Sequence, residues 1–177
     1  MKKSKLIALS AICAGFSLLF MLVGAFISVL DYSAIFMASM CTMVLLAKKS
    51  WKGGLMTYLA TLCLSAIFFV GFRPELVLTY GIFFGLHPTI NYIFKEKNFN
   101  KILAFIIKMV WFVGSILLVY TLFSAFLFED SVLTNKIFQQ YAYLILAVGS
   151  ALLFVAYDFV MIRFQTALDK IIEKLKL

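Results

Sequence analysis

Residues 6–30 contain no charge, and charged positions gather at the two borders: Lys2, Lys3 and Lys5 before the run, Asp31 after it. The same alternation continues down the chain. Apolar runs at 32–47, 53–72, 75–94, 102–128 and 141–162 are separated by short polar breaks. The breaks include Lys48-Lys49, Arg73-Pro74-Glu75, Lys95-Glu96-Lys97 and Glu129-Asp130. About 20 apolar residues, rising ~1.5 Å each, cross a ~30 Å hydrocarbon core. Six such runs predict six transmembrane helices, of which 32–47, at about 24 Å, is short or tilted. Pro74 fits the first turn of the fourth helix, and His87-Pro88 predicts a kink within it. In the third run, Thr57, Thr61 and Ser65 recur every fourth residue, a stripe expected to pack against a neighbouring helix. Beyond Arg163 the spacing changes. Leu168, Ile171, Ile172 and Leu175 fall on one stripe, with Lys170, Lys174 and Lys176 off it. This predicts a short amphipathic C-terminal helix over 163–177, lying along the membrane surface.

Composition agrees with this pattern. The 177 residues are 64% hydrophobic and 14% charged, whereas soluble domains are about half apolar and about a quarter charged. No polar stretch is long enough for a second domain, so residues 1–177 read as a single all-α integral membrane domain. The net charge of +8 would suit nucleic acid if it were clustered on a soluble face. Here the basic residues sit in the breaks between runs, as the positive-inside rule requires, and no nucleic-acid partner is expected. With six crossings, Lys2, Lys3, Lys5, Lys48, Lys49, Lys52, Lys95, Lys97, Lys101, Arg163, Lys170, Lys174 and Lys176 share one side. Arg73 and Lys136 fall on the other, with Asp31, Glu75, Glu129 and Asp130. Both termini are therefore expected in the cytoplasm.

The first run is longer than the ~7–15-residue apolar region of a signal peptide, although Val23-Gly24-Ala25 resembles a weak cleavage site. It is expected to persist as the first helix. Cys13, Cys41 and Cys63 lie inside apolar runs without Cys-x-x-Cys or Cys/His spacing, so neither a disulfide framework nor a metal site is expected.

Three ionisable residues interrupt the spans. Counted from the nearest cytoplasmic charge, His87 lies roughly 12 Å deep, Lys108 roughly 10 Å and Asp158 roughly 7 Å. Asn91, one turn below His87, joins the same layer. A buried charge is costly unless paired, which makes Lys108 and Asp158 candidate partners. The layer reads either as an ion or proton path or as a structural pair that fixes helix packing, and Lys108 could also snorkel to water. The opposite third carries Asp31, Tyr32, Arg73, Glu75, Tyr80, Tyr120, Glu129, Tyr141 and Tyr143. These residues either line a small-molecule site open to the outside or, for the tyrosines, form the interfacial aromatic belt. On the first helix, Ala8, Ala11 and Gly15 form a small-residue stripe that lets another helix approach closely, inside the bundle or on a separate protein.

The chain has no GxxxxGK[ST] phosphate loop, no HExxH, no GxSxG and no paired-carboxylate motif, so no catalytic residues and no cofactor are expected. No inverted repeat with interrupted helices points to transport by this chain alone.

The basic N-terminus followed by Leu6-Ile7-Ala8-Leu9-Ser10-Ala11-Ile12-Cys13-Ala14 resembles helix 1 of the substrate-binding S components of energy-coupling factor (ECF) transporters. Tyr80-Gly81-Ile82-Phe83-Phe84-Gly85-Leu86-His87-Pro88 and Tyr157-Asp158-Phe159 are similar to bacterial sequences grouped with that family. The resemblance covers most of the chain in length and helix order. It implies a six-helix subunit of a bacterial cell membrane that captures a vitamin or similar micronutrient from outside. A coupling transmembrane subunit and two cytoplasmic ATPases would drive its reorientation, in keeping with the missing phosphate loop. Family members dock the coupling subunit through an alanine-spaced motif on helix 1, onto which Ala8, Ala11 and Gly15 map, with glycine at the third position. The family's ligand sits under the loop joining helices 1 and 2, which points to Asp31, Tyr32 and Arg73. Two alternatives remain open: a six-helix membrane scaffold or morphogenesis protein without a ligand, and a small integral-membrane enzyme.

Overall fold

The computed structural model describes residues 3–127 and 136–174, and every described element is helical. The helices are α1 (Lys3–Phe26), α2 (Asp31–Ala47), α3 (Trp51–Phe69), α4 (Pro74–Thr79), α5 (His87–Glu96), α6 (Lys101–Leu127) and α7 (Lys136–Lys174). A 3₁₀ turn, Ser28–Leu30, leads into α2, and a π turn, Tyr80–Phe84, separates α4 from α5. Five segments are long and apolar enough to cross a bilayer: Lys3–Phe26, Trp51–Phe69, Pro74–Glu96, Lys101–Phe123 and Tyr141–Lys174. Asp31–Ala47, equally apolar in character, is shorter at 17 residues. The chain is an all-α protein built for several membrane crossings. Among the predicted features, Lys2, Glu129, Asp130, Leu175 and Lys176 lie outside the described residues.

The helices form two compact units. One comprises Met1–Phe99 with Val160–Leu177, the other Asn100–Phe159. In the first unit, α1 packs against α2 and α3 through small residues. A Cβ on Gly24 would come within 2.8 Å of the Ala34 Cβ, and one on Gly53 within 2.7 Å of Leu6 and Leu45 side-chain carbons. Gly24 is therefore required for close approach, whereas at Gly53 the ends of the Leu6 and Leu45 side chains would have to shift. Ser17 Oγ donates to the Ala38 carbonyl at 2.9 Å, a bond from α1 to α2 that hydrocarbon surroundings make valuable. The stripe Thr57, Thr61 and Ser65 is fully buried, as its four-residue spacing predicts.

Of the two readings of Ala8, Ala11 and Gly15, packing within the first unit is not realised: all three are exposed, and a Cβ on Gly15 would meet nothing within 4 Å. Ser10, Cys13, Ala14, Ser17, Met21 and Gly24 form the buried face of α1 instead. The C-terminal tail is also not a separate element, because α7 runs unbroken for 39 residues. Nothing between residues 150 and 174 stops it: there is no Gly or Pro, and the side chain of Gln165 donates to Asp169 one turn on, at 2.8 Å. Asp169 also accepts from Lys95 at 3.2 Å, which ties this end of α7 to α5 within the first unit.

The predicted kink at His87-Pro88 is realised one turn earlier. Pro88 has no N–H to bond the carbonyl four residues back. The chain widens into the π turn, in which Gly85 N–H donates to the Tyr80 carbonyl at 2.8 Å. Tyr58 on α3 donates its hydroxyl to the Gly81 carbonyl at 2.9 Å, satisfying an acceptor left over by the change of pitch. In α6 the regular helix is interrupted at Phe123, with φ −131° and ψ 25°.

Candidate functional site

The most concentrated chemistry of the first unit lies where α1 gives way to α2. α1 ends at Phe26, and the 3₁₀ turn closes with Leu30 N–H donating to the Ile27 carbonyl at 2.8 Å. α2 then starts directly on Asp31, whose carboxylate in the first turn meets the positive end of the helix dipole. On the neighbouring connection, Arg73 N–H caps the Phe69 carbonyl at 2.7 Å. Pro74 opens α4, with Glu75 in its first turn.

The Arg73 guanidinium joins these pieces. Its Nη1 donates to the Ala25 carbonyl at 3.1 Å, its Nη2 to Asp31 Oδ2, and its Nε to Glu75 Oε1 at 2.5 Å. One side chain thus reaches the end of α1 and the starts of α2 and α4, using three donors of a rigid fork. The side chains of Arg73, Asp31 and Glu75 are 17%, 20% and 5% exposed. Burial disfavours the charged guanidinium, but the Glu75 and Asp31 carboxylates outweigh it and hold the Arg73 pKa above its ordinary value. Glu75 Oε2 and Asp31 Oδ1, the far oxygens of the two carboxylates, are buried without a hydrogen-bond partner among the described residues.

Of the residues expected around a ligand, the fold therefore gathers Asp31, Arg73 and Glu75. Tyr32 follows on α2 and is half exposed. Tyr80 is fully buried in the π turn, its ring 6.1 Å from that of Tyr58. Tyr120 belongs to the second unit, where it packs edge-on against Tyr143 at 5.4 Å. Sequence reasoning did not single out Ala25, whose carbonyl is a third anchor for Arg73. Backbone acceptors at helix ends are readable only once the helix boundary is known.

The intramembrane polar residues divide between the units. His87 is fully buried in the first, its ring 5.0 Å from that of Phe83, and Asn91 lies one turn further along α5. In the second unit, Lys108 Nζ donates to Asp158 Oδ1 at 2.6 Å, with the two side chains only 4% and 6% exposed. The anticipated pairing is present. Phe112 stacks on Tyr157 and packs against Phe154, so an aromatic wall on α6 and α7 flanks the ion pair. The burial of both side chains strengthens the attraction and raises the cost of losing either partner.

Comparison with family models, curated proteins and solved structures yields no match.

Proposed function

We propose that this chain is the membrane-embedded, substrate-capturing subunit of an ECF-type uptake transporter. It crosses a bacterial plasma membrane six times, with both termini in the cytoplasm, and takes a vitamin-like small molecule from the outer face. It performs no chemistry of its own. A coupling subunit docks on α1, and two partner ATPases supply the energy.

The observation that carries this reading is the two-faced character of α1. Its small residues Ser10, Ala14, Ser17 and Gly24 are used up by packing within the first unit. Ala8, Ala11 and Gly15 form a second small stripe that the described residues of the first unit leave uncovered. Lipid needs no such stripe, whereas a second helix approaching closely does. Those are the three positions onto which the family's docking motif maps. The Asp31–Arg73–Glu75 cluster, in the connections α1–α2 and α3–α4, lies where the proposed topology puts the outer mouth.

The test is affinity purification of the tagged protein from its native host in mild detergent. A transmembrane coupling protein and two ATPases are expected in the eluate. Ala11→Trp, which fills the uncovered stripe without touching the buried face, should remove them while the protein still reaches the membrane. Repeated isolation of wild-type protein without these partners would overturn the proposal. Mass spectrometry of small molecules released from the same preparation would identify the cargo.

A further inference from the structure

The charges around Arg73 do not balance. One guanidinium faces two carboxylates, and its three bonded nitrogens are committed to Ala25, Asp31 and Glu75. Each carboxylate keeps one oxygen in reserve. Glu75 Oε2 sits on a side chain 95% buried, and neither it nor Asp31 Oδ1 has a partner among the described residues. A buried acceptor left unmade is unfavourable, and native structures avoid it unless something else fills the place. The lysines Lys48, Lys49 and Lys52 follow the opposite end of α2 and do not serve these oxygens.

We infer that the ligand taken at this end of the first unit presents a protonated amine or an equivalent cationic N–H donor, received by Glu75 Oε2 and Asp31 Oδ1. The inference rests on the ligand-capture reading and narrows its substrate class. An anionic headpiece would face two carboxyl groups, with only two of the five Arg73 N–H donors left to receive it. A neutral apolar one would leave both oxygens bare. A cationic donor satisfies both acceptors and brings the cluster to charge balance in a place where desolvation makes that balance count. Both oxygens are buried, so entry requires movement of the α1–α2 connection. That connection is a single 3₁₀ turn whose Val29 is 93% exposed, and Arg73 tethers it through Ala25 and Asp31.

The experiment uses the full-length protein in lipid nanodiscs and three probes of one shape: benzylammonium, benzyl alcohol and benzoate. Thermal stabilisation is measured against probe concentration. Benzylammonium is expected to bind at least about tenfold more tightly than benzyl alcohol, and benzoate not at all. Glu75→Gln should reduce that preference to less than about threefold, and Glu75→Asp should restore part of it. If Glu75→Gln does not fold, Asp31→Asn provides the same readout. Equal affinity for the amine and the alcohol, a preference for benzoate, or a preference unchanged by both variants would overturn the inference. Co-purification with the coupling subunit is scored on the same samples. Intact complex without amine preference sinks the substrate class alone, whereas amine preference without any complex sinks the transporter reading alone.

Discussion

Arg73 does with one side chain what three separate caps would otherwise do. Replacing it with Ala leaves the Asp31 and Glu75 carboxylates facing each other and frees the Ala25 carbonyl. A loss of about 2–3 kcal/mol is expected, read as a drop in the midpoint of thermal unfolding. Arg73→Lys keeps the charge but not the fork, and should recover less than half of that loss. The Lys108–Asp158 pair answers differently, because both partners are buried in one apolar setting. Asp158→Asn and Lys108→Met should each lower the yield of folded protein. The double variant should recover much of it, with a coupling of about 1–3 kcal/mol in a double-mutant cycle. Additive losses would remove the pairing as an energetic unit. The sequence announced this pair because opposite charges inside apolar runs have few other ways to be tolerated. It announced the members of the Arg73 cluster but not their geometry. Their distances depend on where α1 stops, a boundary that no charge or breaker marks between Gly24 and Asp31. Tyr80 is buried at the start of the π turn, a change of pitch that its apolar run does not announce.

Helices of this chain are legible from their apolar runs, whereas their faces are not. Both faces of α1 carry small residues at helical spacing, and only packing tells them apart. That difference is testable with two glycines on the same helix. Gly24→Val should destabilise by about 1–3 kcal/mol, because its Cβ would collide with Ala34. Gly15→Ala meets open space and should be neutral or stabilising by about 0.5–1 kcal/mol, through the lower entropy of the unfolded chain. Thermal unfolding of the two variants in the same detergent separates the faces. The π turn offers a third measurement. Tyr58→Phe strips the Gly81 carbonyl of its donor and should cost about 1–2 kcal/mol, although it removes a single oxygen from a residue on a different helix.

For the whole molecule, the lysine distribution makes one strong claim, an outer side for the α1–α2 connection and a cytoplasmic side for the α2–α3 connection. Single cysteines introduced at Val29 and at Lys52, in a background lacking Cys13, Cys41 and Cys63, check it. A membrane-impermeant maleimide applied to intact cells should label Val29→Cys and spare Lys52→Cys until the cells are opened. The reverse pattern, or labelling of both, would invert or dismantle the six-crossing arrangement. The tail escaped sequence reasoning because a change of periodicity at Arg163 looks like an ending, while the backbone requires a breaker and finds none. The unbroken α7 has a further consequence, one of phase. In a stiff rod the bearing of each residue is inherited from every residue before it, about 100° at a time. Deleting Ala167 alone would swing Asp169 away from Lys95, and cysteines substituted at those two positions would no longer cross-link. Deleting seven consecutive residues between 159 and 168, almost two full turns, would return Asp169 to within about 20° of its old compass point, roughly 10 Å short along the axis.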